Sequence, residues 1–469
     1  MNPNQVVQVR KPKLMALVLM IGAFIGLFSE TALNMALTNI MEQFSISAAQ
    51  VQWLTTGYLL TLGVFVPISA FLIKWFSTKK LVSAALIFSI LGSLIGALAP
   101  NFEILLIARI IQALGTGLLL PLLMNVVLLI FPINKRGVVM GLMGLVITTA
   151  PAVGPTVAGI IVDLLDWSYI FWLSLALYLL LFIFGLKLIE NVSTLTKPKI
   201  DIFSIFLSTI GFGTLIFSLS SLAENAFATQ IVLIPLIVGI LAILLFTIRQ
   251  LKMPQPMLNL TVFKYPMFSL GTLHLFIGML LILSTAILLP MYLKSSLLYS
   301  AAIAGLIMLP GSALNAVFGP VVGKLFDKLG PTRLLPIGFT LTTIGSVLFI
   351  LTVKEDASFA SIMLSNMVFF SGIAFIIMPA QTNGMNQLPR ELYADGSAIA
   401  NTLQQIAGAA GTAVAITLLM KGESNFLENN LQASVEQSVA AGTNFAFYFT
   451  LIISVIGLIS SFFVKKVKV

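Results

Sequence analysis

Apolar stretches of about twenty residues recur along the whole chain, separated by short polar breaks, and no water-soluble fold accommodates that pattern. In lipid every backbone polar group must find its partner within the protein, so each such run has to be a helix or a strand of a closed barrel. These runs are helix-length. With breaks placed at Pro, Gly and charge clusters, they predict fourteen helices, at 14–37, 52–73, 81–99, 104–131, 138–162, 168–188, 202–222, 230–249, 266–290, 301–322, 334–353, 358–382, 394–420 and 445–464. Composition agrees: of 469 residues 59% are hydrophobic and 9% charged, with a mean hydropathy of +1.07. The expected class is an all-α, multi-pass membrane protein.

The basic residues decide its orientation. If the N-terminus is cytoplasmic, 21 of the 25 Lys and Arg lie in or beside cytoplasmic loops. Three (Lys294, Lys354 and Lys421) lie on the other side, and Arg109 is inside a span. That bias follows the positive-inside rule and places both termini in the cytoplasm of a cell-membrane protein. It also accounts for the net charge of +9 without nucleic acid. The first apolar run is too long for a signal peptide and reads as an uncleaved helix. With no cysteine and one histidine, the chain has no means of making disulfides, thiolate metal sites or a His-based metal cluster. It carries no phosphate-binding GxxxxGK(S/T) and no HExxH, so no enzyme and no cofactor are expected.

An internal echo suggests a duplication. "AFLIKWFSTKK" (70–80) and "GKLFDKLGPTR" (323–333) both lead from one predicted helix into the next, at an offset of 253 residues. Two six-helix halves alone would be offset by roughly 200 residues, given spans and loops of ordinary length. Two additional helices between the halves restore the register. The expected organisation is a six-helix bundle over 1–200, an extra helix pair over 201–250 and a second six-helix bundle over 251–469. Parallel repeats of this kind are common in secondary transporters, with the substrate site between the halves.

Glu30 is the only ionisable side chain between Leu14 and Leu37. A charge at such depth is costly, and such groups usually face a bundle interior or a water-filled path. The bland alternative is a protonated Glu bonded to Asn34 one turn on. Arg109 in "LLIARIIQALGTG" shares a helix face with Gln112, three residues later; its bland reading is an arginine snorkelling to the interface. The fifth span, "GLMGLVITTAPAVGPTVAG", combines Gly141, Gly144, Gly154, Pro155 and Gly159, which favour close packing and a bent axis. His274 could titrate near neutral pH or simply bond between helices. Asp163, Asp166 and Glu224 fall at outer span ends, where acids are solvated. The polar insert 421–444 reads as an outer loop or short hairpin.

Several of these stretches resemble the major facilitator superfamily, in particular its fourteen-span drug–proton antiporter branch and the lincomycin-type exporters of Gram-positive bacteria. "GKLFDKLGPTR" matches the Gly-x₃-Asp loop motif, with Gly323, Asp327 and Arg333 in place. The first-half copy departs from it, having Ala70 for Gly, Lys74 for Asp and Ser77 for Gly, so an acid-dependent latch is not expected there. Arg109, Gln112 and Gly115 match an Arg-x-x-Gln-x-x-Gly motif of span 4. "GPTVAG" resembles the antiporter motif of span 5, with Ala158 replacing one Gly. On span 1, "SETALNMAL" keeps Thr31, Asn34, Ala36 and Leu37 in register, but Ser29 takes the usual Asp position and the acid has moved to Glu30. One residue is about 100° around a helix, so this carboxylate projects from a different face. "QWLTTGYLLTLG", containing Tyr58, and "NTLQQIAGAAG", containing Asn401 and Gln404, also fit the pattern.

The resemblance implies the major facilitator fold and a monomeric, proton-gradient-driven multidrug efflux antiporter of amphiphilic, chiefly cationic compounds in membrane lipid. Glu30 and Arg109 would couple protons, and Glu30, Asn34, Tyr58, Gln112, His274, Asn401 and Gln404 would line the substrate site. Gly154, Pro155, Gly159, Gly323, Asp327 and Arg333 would serve the conformational change. Asp327 could accept from the amides at the start of a neighbouring helix in one state only. The alternatives are a proton-coupled exporter of a lipid, peptide or metabolite, and a membrane sensor that transports nothing.

Overall fold

The computed structural model describes residues 7–193, 195–197, 201–222, 229–430 and 432–467; Glu224 lies outside them. Among the described residues there is no strand. The helices of the first part are α1 (Pro12–Ala32), α2 (Leu37–Phe44), α3 (Ala48–Trp75), α4 (Thr78–Ala97), α5 (Phe102–Ile130), α6 (Ile133–Leu164) and α7 (Ser168–Leu180). Next come α8 (Ile202–Ser221) and α9 (Gln230–Lys252). The chain ends with α10 (Pro266–Ser295), α11 (Ala301–Leu329), α12 (Pro331–Thr352), α13 (Phe359–Gln387), α14 (Tyr393–Asn429) and α15 (Val435–Ser461). Among the described residues thirteen helical segments are long and apolar enough to cross a membrane. With α6, 32 residues long, they make the fourteen helices expected.

Polar signals start and stop these helices where hydropathy alone is silent. Ser47 and Gln50 form a reciprocal capping box at the start of α3, as do Ser434 and Gln437 for α15. Gly330, at φ 75°, ends α11, and Pro331 opens α12 in the next position. Of the two expectations for the polar insert 421–444, the hairpin holds: helix α14 runs through it to Asn429 and α15 begins at Val435. Loss of hydropathy marks where lipid ends, whereas the helix ends only when its backbone bonds are replaced.

Helices α1 and α3–α7 pack with one another, and so do α10–α15. Contact between the two groups runs chiefly through α6 on α11 and α13, and through α14 on α3 and α5. Helix α8 lies against α9, α3 and α14, while α9 faces mainly outward. Two glycines allow the α8–α9 approach: a Cβ at Gly239 would lie 2.9 Å from Leu215 N, and one at Gly211 would lie 3.1 Å from Ile243 N. Asp201 and Arg249 close the same pair by a bidentate bond, at 2.8 and 3.0 Å.

Candidate transport site

Arg109 is fully buried, which removes the snorkelling alternative. Its guanidinium holds three helices together. Nε donates to Leu54 O on α3 at 3.4 Å, and one terminal nitrogen to Glu30 O on α1 at 3.5 Å. The other terminal nitrogen donates to Ser29 O at 3.1 Å, Ser29 Oγ at 3.2 Å and Gln112 Oε1 at 3.0 Å. The cation also lies 4.2 Å from the centre of the Tyr58 ring, a cation–π contact shielded from water. Tyr58 in turn donates to Gly26 O at 3.0 Å and shares a proton with Thr116 Oγ1 at 2.8 Å. Gln112 donates to Ser93 Oγ at 2.9 Å, which adds α4 to the junction. Ser29, Ser93 and Thr116 do not stand out in the sequence as members of such a site; nothing in a lone membrane Ser or Thr distinguishes a network member from ordinary packing.

The acid shift on α1 now has a structural meaning. Ser29, in the position where the family carries an acid, meets Arg109 with a hydroxyl. Arg109 hydrogen-bonds Glu30 through its backbone carbonyl, and no ion pair between the two side chains is present among the described residues. Glu30 Oε2 is buried and accepts no hydrogen bond among the described residues. The bland Glu30–Asn34 pairing also fails. After Ala32 the helix tightens to a 3₁₀ turn, Leu33–Ala36, which changes the side-chain register. Asn34 Oδ1 instead accepts from Thr55 Oγ1 on α3 at 2.8 Å. Close behind, Gly154 of α6 touches α1: a Cβ there would overlap Thr31 Oγ1 and lie 3.1 Å from Phe28 O.

On the face that carries the basic loops, the two groups of helices meet tightly. Gly137 and Gly141 of α6 oppose Gly319 and Gly323 of α11, each pair four residues apart. A Cβ at Gly323 would lie 2.6 Å from Gly137 O, and one at Gly319 would lie 2.9 Å from Gly141 O. The Asp327 carboxylate lies against the second turn of α6, where a Cβ on Gly137 would overlap its Oδ1 and the backbone amides of Gly137 and Val138 favour its charge. Arg333 is exposed at the start of α12. Arg136 crosses the same seam, donating to Asn386 Oδ1 at 3.0 Å and to Tyr393 Oη at 3.1 Å. The first-half loop departs from expectation. Lys74, standing where an acid was expected, pairs at 2.7 Å with Asp395 of α14, whose side chain is 1% exposed. Sequence reading passed over Asp395, although it lies in the second residue of a predicted span.

Among the described residues no hydrogen bond joins the other candidates to the Arg109 network. His274 bonds Ser460 Oγ at 2.9 Å and packs 5.2 Å from the Phe339 ring, between α10, α12 and α15; its place is in helix packing. Asn401 and Gln404 are buried in α14 and bond carbonyls of their own helix, Ser397 O and Ala400 O. A Cβ at Gly159 would make only ordinary contact, 3.7 Å from the Met35 methyl. The side chain of Pro155 lies outside the described residues.

Two packed six-helix groups with an added helix pair, a buried cation at a helix junction and an unpartnered carboxylate oxygen on a neighbouring helix define a helical membrane transporter. Residues 19–412 match the family model of the Major Facilitator Superfamily. The chain is 51% identical over 457 residues to the lincomycin resistance protein LmrB of Bacillus subtilis, covering 96% of this chain and 95% of that one. It is equally similar to the LmrB of Listeria innocua, over 98% of both chains. The multidrug export protein EmrB of Escherichia coli is 25% identical over 88% of this chain and 81% of its own. Among solved structures, the proton:xylose symporter XylE superposes with a TM-score of 0.67 over 96% of this chain and 94% of that one, at 14% identity, which speaks for the fold alone. The chain belongs to the Major Facilitator Superfamily. It is a multi-pass membrane transporter and not an enzyme.

Proposed function

We propose that the protein is a proton-coupled multidrug exporter that works by alternating access, with amphiphilic drugs of the lincosamide kind and lipophilic cations as cargo. The single observation that carries the reading is the state of Glu30: a buried carboxylate oxygen without a partner, beside an arginine whose donors are spent on other groups. Such a group can take up a proton or face a cation, but not both favourably. That exclusion is sufficient for exchange, since each ligand shifts the conformational equilibrium only by its differential affinity. The end-to-end similarity to lincomycin resistance proteins supports drugs as cargo.

On this reading the chain acts as a monomer in the cell membrane, with both termini and the basic face in the cytoplasm. Residues 1–200 and 251–469 form the two rocking bundles, and 201–250 the added pair. The tightly packed seam of α6 on α11 is then the cytoplasmic gate. The test is transport by purified protein in proteoliposomes under an imposed pH gradient. Glu30→Gln keeps size and hydrogen bonding but removes the titration. It should abolish gradient-driven export of a monovalent cationic dye, and export at the parent rate refutes the assignment.

A further inference from the structure

Lys74 and Asp395 are 321 residues apart and come from different halves of the molecule. Their bond does not stand alone. Asp395 Oδ1 also accepts the backbone N–H of Asn259, at 2.9 Å, in the connector between α9 and α10. The backbone carbonyl of Lys74 accepts the N–H groups of Thr196 and Lys197, at 3.1 and 3.2 Å, in the connector between α7 and α8. Lys197 adopts a left-handed φ of 43° to do so, a conformation uncommon outside glycine. Both connectors that bracket the α8–α9 pair are therefore fastened to this one ion pair, the first to its lysine residue and the second to its aspartate.

We infer that Lys74–Asp395 is a charge-reversed bolt of the cytoplasmic gate, and that α8–α9 is strapped across it and restrains its opening. The physical reasoning is geometric. Separating α3 from α14 pulls the two connectors apart, yet α8 and α9 are clasped to each other by Asp201–Arg249 and by the Gly211 and Gly239 contacts. Helix α8 also lies against both α3 and α14, the two helices that must part. Opening must therefore break the bolt and also release a connector or shift the pair. Asp395 Oδ2 is already buried without a partner among the described residues, so an Asp395 stripped of Lys74 and the Asn259 amide is left as an uncompensated buried charge. This gives the extra pair a role that a plain two-bundle transporter has no element to perform.

The inference rests on the transporter reading only in treating this face as the gate, and its test uses neither drug nor proton gradient. The chain has no cysteine, so a single one can report on the seam. Ala398 is fully buried and shares a helix face with Asp395 three residues earlier. In full-length protein in lipid nanodiscs, A398C should react slowly with a maleimide. Adding Lys74→Gln should speed the reaction about tenfold or more, the factor expected for losing one charge-assisted hydrogen bond. Lys74→Arg, which keeps a charged donor for Asp395 and leaves the Asn259 bond in place, should leave it slow. Asn259 has φ −81°, which proline also adopts, so Asn259→Pro removes only the amide donor and the side chain. It should speed labelling, whereas Asn259→Ala, which keeps the amide, should not. Should Lys74→Gln fold poorly, Lys74→Met of similar size replaces it. Labelling of Lys74→Gln or Lys74→Met at the parent rate, or a Lys74→Arg variant as reactive as Lys74→Gln, overturns the bolt. Equal rates for Asn259→Pro and Asn259→Ala overturn the strap.

Discussion

Asp327→Asn is the sharpest probe of the gate, because it changes charge without changing shape. The Asp327 carboxylate rests against the N-terminal part of α6, where the backbone amides of Gly137 and Val138 favour its charge. The glycine is required there: a Cβ on Gly137 would overlap Asp327 Oδ1. A hydrogen bond to a charged group contributes about 1.5–3 kcal/mol, against about 0.5–1.5 for a neutral one. The negative charge at a helix N-terminus adds about 0.3–1 kcal/mol. Replacing the carboxylate by an amide should thus weaken the closed seam by about 2–3 kcal/mol. At about 1.4 kcal/mol per factor of ten, the closed population falls about 30- to 150-fold relative to the open one. The contact exists only while α6 and α11 are together, and it lies on helices other than α1, α3 and α5, which surround Glu30. Turnover should therefore drop by at least tenfold, while the apparent KM changes much less. The assay is the initial rate of dye export from proteoliposomes across a range of dye concentrations. An unchanged kcat with a raised KM would refute the argument, since Asp327 would then be acting on the substrate rather than on the seam.

Three further outcomes follow from particular contacts. Gly141→Ala places a methyl against the backbone carbonyl of Gly319, which has no rotamer with which to yield; overpacking of this kind costs about 1–3 kcal/mol. Gly144→Ala meets only Met378 Cβ at 3.7 Å, so thermal unfolding should separate the two, with the Gly144 variant close to the parent. Arg109→Lys cannot reproduce a planar fork that serves Leu54 O, Ser29 O, Glu30 O and Gln112 Oε1 together. Each orphaned buried acceptor costs about 1–3 kcal/mol, so the Arg109→Lys variant should unfold several degrees lower, and an unchanged midpoint would show the network to be slack. The Asp201 carboxyl is held at a pKa of about 2 by its hydrogen bonds to Arg249 and Ser204. Its folded value lies below the unfolded one, so the stabilisation is present above the ordinary carboxylate range and is lost only as pH falls through about 2. Hydrogen exchange in α8 and α9 should accordingly rise in Asp201→Asn by the same factor at pH 7 and at pH 5.

How much of this was legible in advance depends on whether the deciding interaction is local. The number of helices and the all-α class were fixed by hydropathy, because lipid leaves a backbone no other partner than its own helix. The Gly-x₃-Asp loop singled out Asp327, which lies against α6 at Gly137. Glu30 stood out for the same reason it has no ready substitute: one carboxylate in an apolar run. The glycines of α6 were visible, but not that Gly137 and Gly141 would face Gly319 and Gly323, since a four-residue spacing says nothing about its partner.

What only the tertiary structure decided is who meets whom. Lys74 looked like a broken motif until Asp395, from the other end of the chain, supplied the missing charge. Arg109 stood out as a charge in a span, but not that its donors go to Ser29, Gln112 and three backbone carbonyls, with no hydrogen bond left for the Glu30 carboxylate. His274 bonds Ser460, and Asn401 and Gln404 bond carbonyls of their own helix, partners that no sequence pattern names. The hydropathy of a segment is a property of that segment and the solvent, so a sequence carries it openly. The pairing of two buried polar groups is a property of the distance between them, and only packing sets that distance.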